Sequence, residues 1–256
     1  PITLLGDTSG TGVYIDGTQT GPVITVGGQA GTVTLQSLNI INGRNSDNGF
    51  SNFGGGISVD AYAGGDRLKI SDCTIGLNFA THGGGIGAVP DVDPELIILN
   101  SQITINGTPD RYAAGGIEGD YRRLVMDRGR IERNFGTGIL CGVTAPSDED
   151  EQYVPFHHYR RSSISYNTQG GMQLVGPDGP LGTRVLNNCL FVGNGTYGAF
   201  IEGNTDVAHC TFAYNRSEGG LPPGLRHDGR VSNSIFWGNA VNGNRLEDAQ
   251  VSPQTN

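Results

Sequence analysis

Glu118 and Asp120 stand two apart in the stretch Gly115-Gly-Ile-Glu-Gly-Asp120. If that stretch is extended, alternate side chains share a face and the two carboxylates project together, ~7 Å apart. Such a spacing is nearer to inverting than to retaining glycoside hydrolysis, with one carboxyl as acid and the other as base. Together with Asp60, which takes the equivalent place in an earlier repeat, they also form a candidate Ca2+ site. Tyr112, His157 and His158 are candidate bases for removing the proton α to a uronate carboxyl. Arg111, Arg122, Arg123, Tyr153, Arg160 and Arg161 are candidate substrate-binding residues, the arginines suited to an anionic sugar or to a developing enolate. Each residue also has a plainer reading, as a solvent-facing charge closing a strand or as the polar filling of a loop. Hydrolase and lyase chemistry both stay open at this point.

Whether these side chains meet depends on what carries them, and the carrier is repetitive. Cys73-Thr-Ile75-Gly-Leu-Asn78 has a grammar of small residue, aliphatic or aromatic residue, then Asn. It returns at Ser101 to Asn106, Gly129 to Asn134, Ser162 to Asn167, Cys189 to Asn194, Cys210 to Asn215 and Ser234 to Asn239. From Asn78 to Asn239 the intervals are 28, 28, 33, 27, 21 and 24 residues. A drifting period of this size is the mark of a solenoid, in which insertions fall between repeats. Ahead of the small residue comes a β-rich run such as Leu96-Ile-Ile-Leu99. After the Asn comes a glycine pair leading into a hydrophobe, as in Gly84-Gly-Ile86 and Gly170-Gly-Met172. Three short period-two segments per repeat, with nothing of helical period, predict an all-β parallel β-helix of roughly eight to nine coils. The expected layout is one domain over 1–256, with an irregular first coil over 1–34, repeats over 35–239 and a C-terminal cap or tail over 240–256.

Stacking of equivalent strands ~4.8 Å apart turns each repeat position into a column. The small residues and Ile75, Ile103, Ile131, Ile164, Phe191, Phe212 and Phe236 are expected to be inward columns. The Asn positions are expected in a tight, partly left-handed turn. Three Asn-x-Ser/Thr sequons, at Asn106, Asn194 and Asn215, fall on that column and read as by-products of the repeat. The longest insertions, 44–53, 107–114 and 144–158, flank the strand that carries Glu118 and Asp120. Long loops of this kind often bear function.

A formal charge of −9, with Lys69 the sole lysine, argues against a nucleic-acid partner. No stretch approaches the ~18 apolar residues of a membrane-crossing helix. Arginines concentrate between Arg122 and Arg161, and Arg128 and Arg161 align in one turn column. Stacked like charges need either carboxylates, such as Asp127 and Glu132, or an anionic ligand. Of the four Cys, three share the small inward column and behave as small hydrophobes, without zinc-like spacing.

Gly54-Gly-Gly-Ile57, Phe191-Val-Gly-Asn194, Phe212-Ala-Tyr-Asn215 and Phe236-Trp-Gly-Asn239 resemble tandem motifs of a known group. The chain is similar, from Leu35 onward, to polymorphic outer membrane proteins and other bacterial right-handed parallel β-helix proteins of the pectin-lyase-like type. The resemblance implies a protein secreted or displayed at a bacterial surface. The chain starts at Pro1 without a signal sequence, as expected of a processed or excised domain. Fold alone does not determine activity here. The expectation is a monomer that binds, and in one reading cleaves, an extracellular acidic polysaccharide. The other reading is a non-catalytic, adhesin-like surface solenoid.

Overall fold

The computed structural model describes residues 1–7, 12–27, 31–45, 52–60, 67–90, 94–107, 114–142, 156–176, 183–217, 222–242, 244–245 and 251–253. Its regular elements are all strands. They stack as a parallel β-helix in which each coil visits three sheets in turn. The first sheet takes the strands after the glycine pairs: Ile24–Gly27, Ile57–Asp60, Ile86–Ala88, Ala114–Asp120, Thr137–Gly142 and Met172–Val175. A second sheet takes the β-rich runs, from Ile2–Leu5 through Arg67–Ser71 and Glu95–Leu99 to Thr183–Asn187. Among the described residues the third sheet has nine strands, from Val13–Asp16 to Ile235–Trp237. Residues of the first coil pair in parallel register with the next, Ile2 with Val33 and Val13 with Leu38.

At the C-terminal end the three-strand coil simplifies. The ten-residue strand Ala199–Ala208 runs through two sheets, its first part pairing with Met172–Leu174 and its second with Arg184–Asn187. Leu225–Ser232 follows it, with a register shift between Ile201 and Asn204. Where no residues are inserted between the first two sheets, their corner becomes a bend within one strand. Val251–Pro253 pairs with Leu225–His227, and Ala240–Val241 turns back antiparallel on Asn244–Arg245.

The inward columns follow the repeat. Ile75, Ile103, Ile131, Ile164, Phe191 and Phe212 are buried, and the Phe191, Phe212 and Phe236 rings stack at 4.7 and 4.9 Å. Small residues fill a neighbouring column for a reason beyond volume. Ser101 and Ser162 Oγ each accept the backbone N–H of the previous coil, from Cys73 and Gly129, at 3.1 Å. Cys73, Cys141, Cys189 and Cys210 are free thiols and buried.

The Asn column hydrogen-bonds neighbouring backbone at the turn, but it is not itself left-handed. The left-handed residue is the one before it: Leu77, Ile105, Arg133, Tyr166 and Tyr214 have φ of 55° to 58°, with Gly193 and Gly238 in the same place. A non-glycine residue there costs ~1–2 kcal/mol, and a polar ladder inside the coil offsets it. Asn134 Oδ1 accepts both the backbone N–H and the side-chain Nδ2 of Asn106, each at 3.0 Å. Its own Nδ2 donates to the Ile103 carbonyl at 3.1 Å. The same bonds recur from Asn78 to Asn239, all buried. Asn is required because one side chain must accept and donate at once. The three sequons coincide with this ladder, so their amides are committed to the interior.

Candidate functional site

Strand Ala114–Asp120 places Ile117 inward and Glu118 and Asp120 outward, as the period-two reading expects. What Glu118 does there is more specific. Its Oε1 accepts from His82 Nδ1 at 2.7 Å. Its Oε2 accepts from the backbone N–H groups of Gly83 at 3.1 Å and Ala114 at 3.0 Å. Gly83, at φ +57°, makes the corner that aims its N–H at the carboxylate. The other ring face of His82 meets Phe53, with centroids 4.7 Å apart and planes 18° from parallel. Backbone pairing between Phe53 and His82 fixes the two residues in adjacent coils.

These groups line an open cleft of about 300 Å³ on the first sheet, with Ala88, Asp120 and Leu140 among its walls. The Glu118 side chain is 12% exposed and that of His82 39%, so the carboxylate is beneath and the imidazole faces the opening. A carboxylate can only accept, so it holds the proton on Nδ1 and fixes the orientation of the ring. That is the arrangement of a positioned general base. His82 was absent from the residues that sequence reasoning singled out, as was Phe53. The available signal was its place directly ahead of the run Gly83-Gly-Gly85, one corner from the Glu118 strand.

Asp120 leans the other way. A Cβ on Gly142, one coil further on, would collide with its Oδ1, so the glycine provides the space the carboxylate occupies. Glu118, by contrast, bonds toward the preceding coil. The two acids thus have different surroundings while both line the same cleft. The Ca2+ set is not assembled. Asp60 sits two strands away, beyond Ile86–Ala88. Among the described residues no three His, Cys, Asp or Glu side chains group closely enough to hold a metal ion.

The remaining candidates lie elsewhere or outside the described residues. His157 points into the coil, fully buried in the column of Leu124. Burial, and then the Arg184 guanidinium, push its pKa down to about 3. It does not reach the cleft. His158 faces out from the second sheet, edge-on to Phe156 at 5.6 Å, and its pKa is lowered by burial and by Arg160. Arg122 pairs with Glu95 at 3.4 Å, which also holds Arg67 at 2.6 Å. The Arg123 guanidinium lies over the Phe156 ring at 5.8 Å. Arg161 and Arg160 both bind Asp127, at 2.6 and 3.0 Å to its Oδ2. Asp127 is held below the usual carboxylate range, chiefly by the Arg161 hydrogen bond. Arg122, Arg160 and Arg161 are thus each met by a carboxylate of the chain, the last two at the corner between the second and third sheets. Arg111, Tyr112 and Tyr153 lie outside the described residues.

Comparison of the chain with protein-family models, with curated proteins and with solved structures gives no match.

Proposed function

We propose that the chain is an extracellular polysaccharide-processing β-helix that binds an extended acidic glycan along its first sheet and cleaves it by β-elimination. His82 Nε2 takes the proton α to a uronate carboxyl. The electron pair left on that carbon forms the new C=C bond, the bond to the glycosidic oxygen breaks, and the oxygen leaves with a proton taken from water. Glu118 positions His82 and does not touch substrate. The observation that carries the reading is the His82–Glu118 hydrogen bond of 2.7 Å at the mouth of an open cleft. Elimination is favoured over hydrolysis because Glu118 is already committed to His82 and two backbone donors, so it serves the imidazole and not a leaving group.

The test is formation of the unsaturated product, followed by ultraviolet absorbance, over alginate, pectate, hyaluronan and chondroitin sulfate, with and without Ca2+. His82→Ala is expected to lose about 10²–10⁴ in rate. Glu118→Gln lowers turnover more than it raises KM. Arg160→Ala, remote from the cleft, leaves both unchanged. Binding without product from any of these glycans would replace cleavage by the adhesin-like, surface-display reading.

A further inference from the structure

A second surface, on a different sheet, has the chemistry of a ligand platform. Along most of the third sheet the outward side chains are polar or small: Thr74 and Gly76, Gln102 and Thr104, Arg130 and Glu132, Ser163 and Ser165. Two of the last three coils break this pattern, with Leu190 and Val192 and then Ile235 and Trp237 outward, on either side of Thr211 and Ala213 in parallel register. Beside them runs the left-handed column Tyr166, Gly193, Tyr214, Gly238. Tyr166, Tyr214 and Trp237 are 58%, 50% and 61% exposed, and Ile235 is 61% exposed.

The aromatic rings are held in place. A Cβ on Gly193 would lie 2.7 Å from two ring carbons of Tyr166, and one on Gly238 would lie 2.9 Å from the same atoms of Tyr214. Each tyrosine thus lies over the glycine of the following coil. Trp237 Nε1 donates to Tyr214 Oη at 3.2 Å. With coils ~4.8 Å apart, Tyr166 and Tyr214 repeat at ~10 Å, on the order of a disaccharide's length. Tyrosine and tryptophan combine an apolar face with a polar tip, and both ordered rings cost little further entropy on binding.

We propose that Tyr166, Tyr214 and Trp237 form a glycan-binding platform, stacking the apolar faces of alternate sugars along the coil axis. The size of the patch favours a glycan over a protein partner. Two side-chain positions across four coils cover on the order of 100–200 Å², against about 800 Å² per partner for a stable protein interface. The platform does not rest on the His82 cleft, and its readout is separate from cleavage.

Trp237 is the only tryptophan in the chain, so its fluorescence reports on the platform directly. The experiment is a titration with hexasaccharides of cellulose, xylan and polygalacturonate, in the wild type and in His82→Ala. A saturable change in Trp237 emission with at least one of them, the same in both proteins, is the expected result. Tyr166→Asn and Tyr214→Asn keep a residue that tolerates the left-handed turn, and each should weaken binding at least tenfold. Circular dichroism and thermal melting confirm that they fold. Three results would overturn the proposal: no emission change with any hexasaccharide, a change that both Tyr variants retain, or one lost in His82→Ala. An emission change on raising protein concentration alone, with sedimentation as a dimer, would also overturn it by assigning the face to a second copy of the chain.

Discussion

His157 and His82 show how much a single residue's meaning depends on which way it points. His157 occupies a column that is leucine in the three preceding coils, Leu68, Leu96 and Leu124. Neither ring nitrogen has a hydrogen-bond partner, and the ring is neutral because charging it inside the coil is unfavourable. In the unfolded chain it titrates near 6.5. The folded pKa is the lower one, so the unfolded state binds more protons below that value. The contribution to stability is therefore whole above pH 6.5 and is lost as pH falls toward 3. Between pH 7 and pH 5 the loss is about 2 kcal/mol, readable as a falling urea midpoint. His158 and His227 are shifted in the same direction, so part of the slope belongs to them. His157→Leu, matching its column, should remove the largest share and leave the protein at least as stable at pH 7. An unchanged slope in that variant would reject the assignment.

At the scale of the element, the glycine before each inward hydrophobe of the first sheet is set by packing. A Cβ on Gly85 would lie 2.7 Å from Ile103 Cγ2, 2.8 Å from the Gly116 carbonyl and 3.1 Å from Asn106 Nδ2. All three belong to the next coil, so the glycine lets the first sheet close over the Asn ladder. Gly85→Ala should cost roughly 2–4 kcal/mol in a denaturant titration, as an overpacked, buried backbone contact. Gly21→Ala, where a Cβ meets nothing within 4 Å, should stay within about 0.5 kcal/mol of wild type. Gly–Gly–hydrophobe and small–x–aliphatic–x–x–Asn were both legible as columns because stacking imposes the same environment on every repeat. The long strand Ala199–Ala208 was not. Its course depends on the absence of an insertion between two sheets, and Gly203-Asn-Thr-Asp206 resembles a turn in isolation.

Over the whole molecule, a solenoid is as protected as its neighbours make each coil. Among the described residues the coil of Ile2–Leu5 and Val13–Asp16 pairs with Thr32–Gln36 and Leu38–Ile41 on one side. Ile2, Leu4, Leu5, Val13 and Tyr14 are correspondingly exposed at 37% to 66%, though the register assigns Ile2 and Leu4 to inward columns. Amides of Ile2–Leu5 and Val13–Asp16 should exchange well ahead of those in Arg123–Asp127 and Phe156–Arg160, in the middle of the stack. Hydrogen exchange followed by mass spectrometry checks this, and uniform protection along the axis would contradict it.

The sequence by itself determined the coil. Period-two segments, a drifting repeat and columns of Ile, Phe, Gly and Asn all state the same environment many times over, and such repetition survives without coordinates. It also placed Glu118 and Asp120 outward on one strand. Only the tertiary structure decided what those residues face. Glu118 meets His82 because coils 36 residues apart in sequence stack at one corner. Asp127 collects two arginines for the same kind of reason. A candidate site is made of contacts between coils, and the length of each insertion between them is not constrained by the repeat.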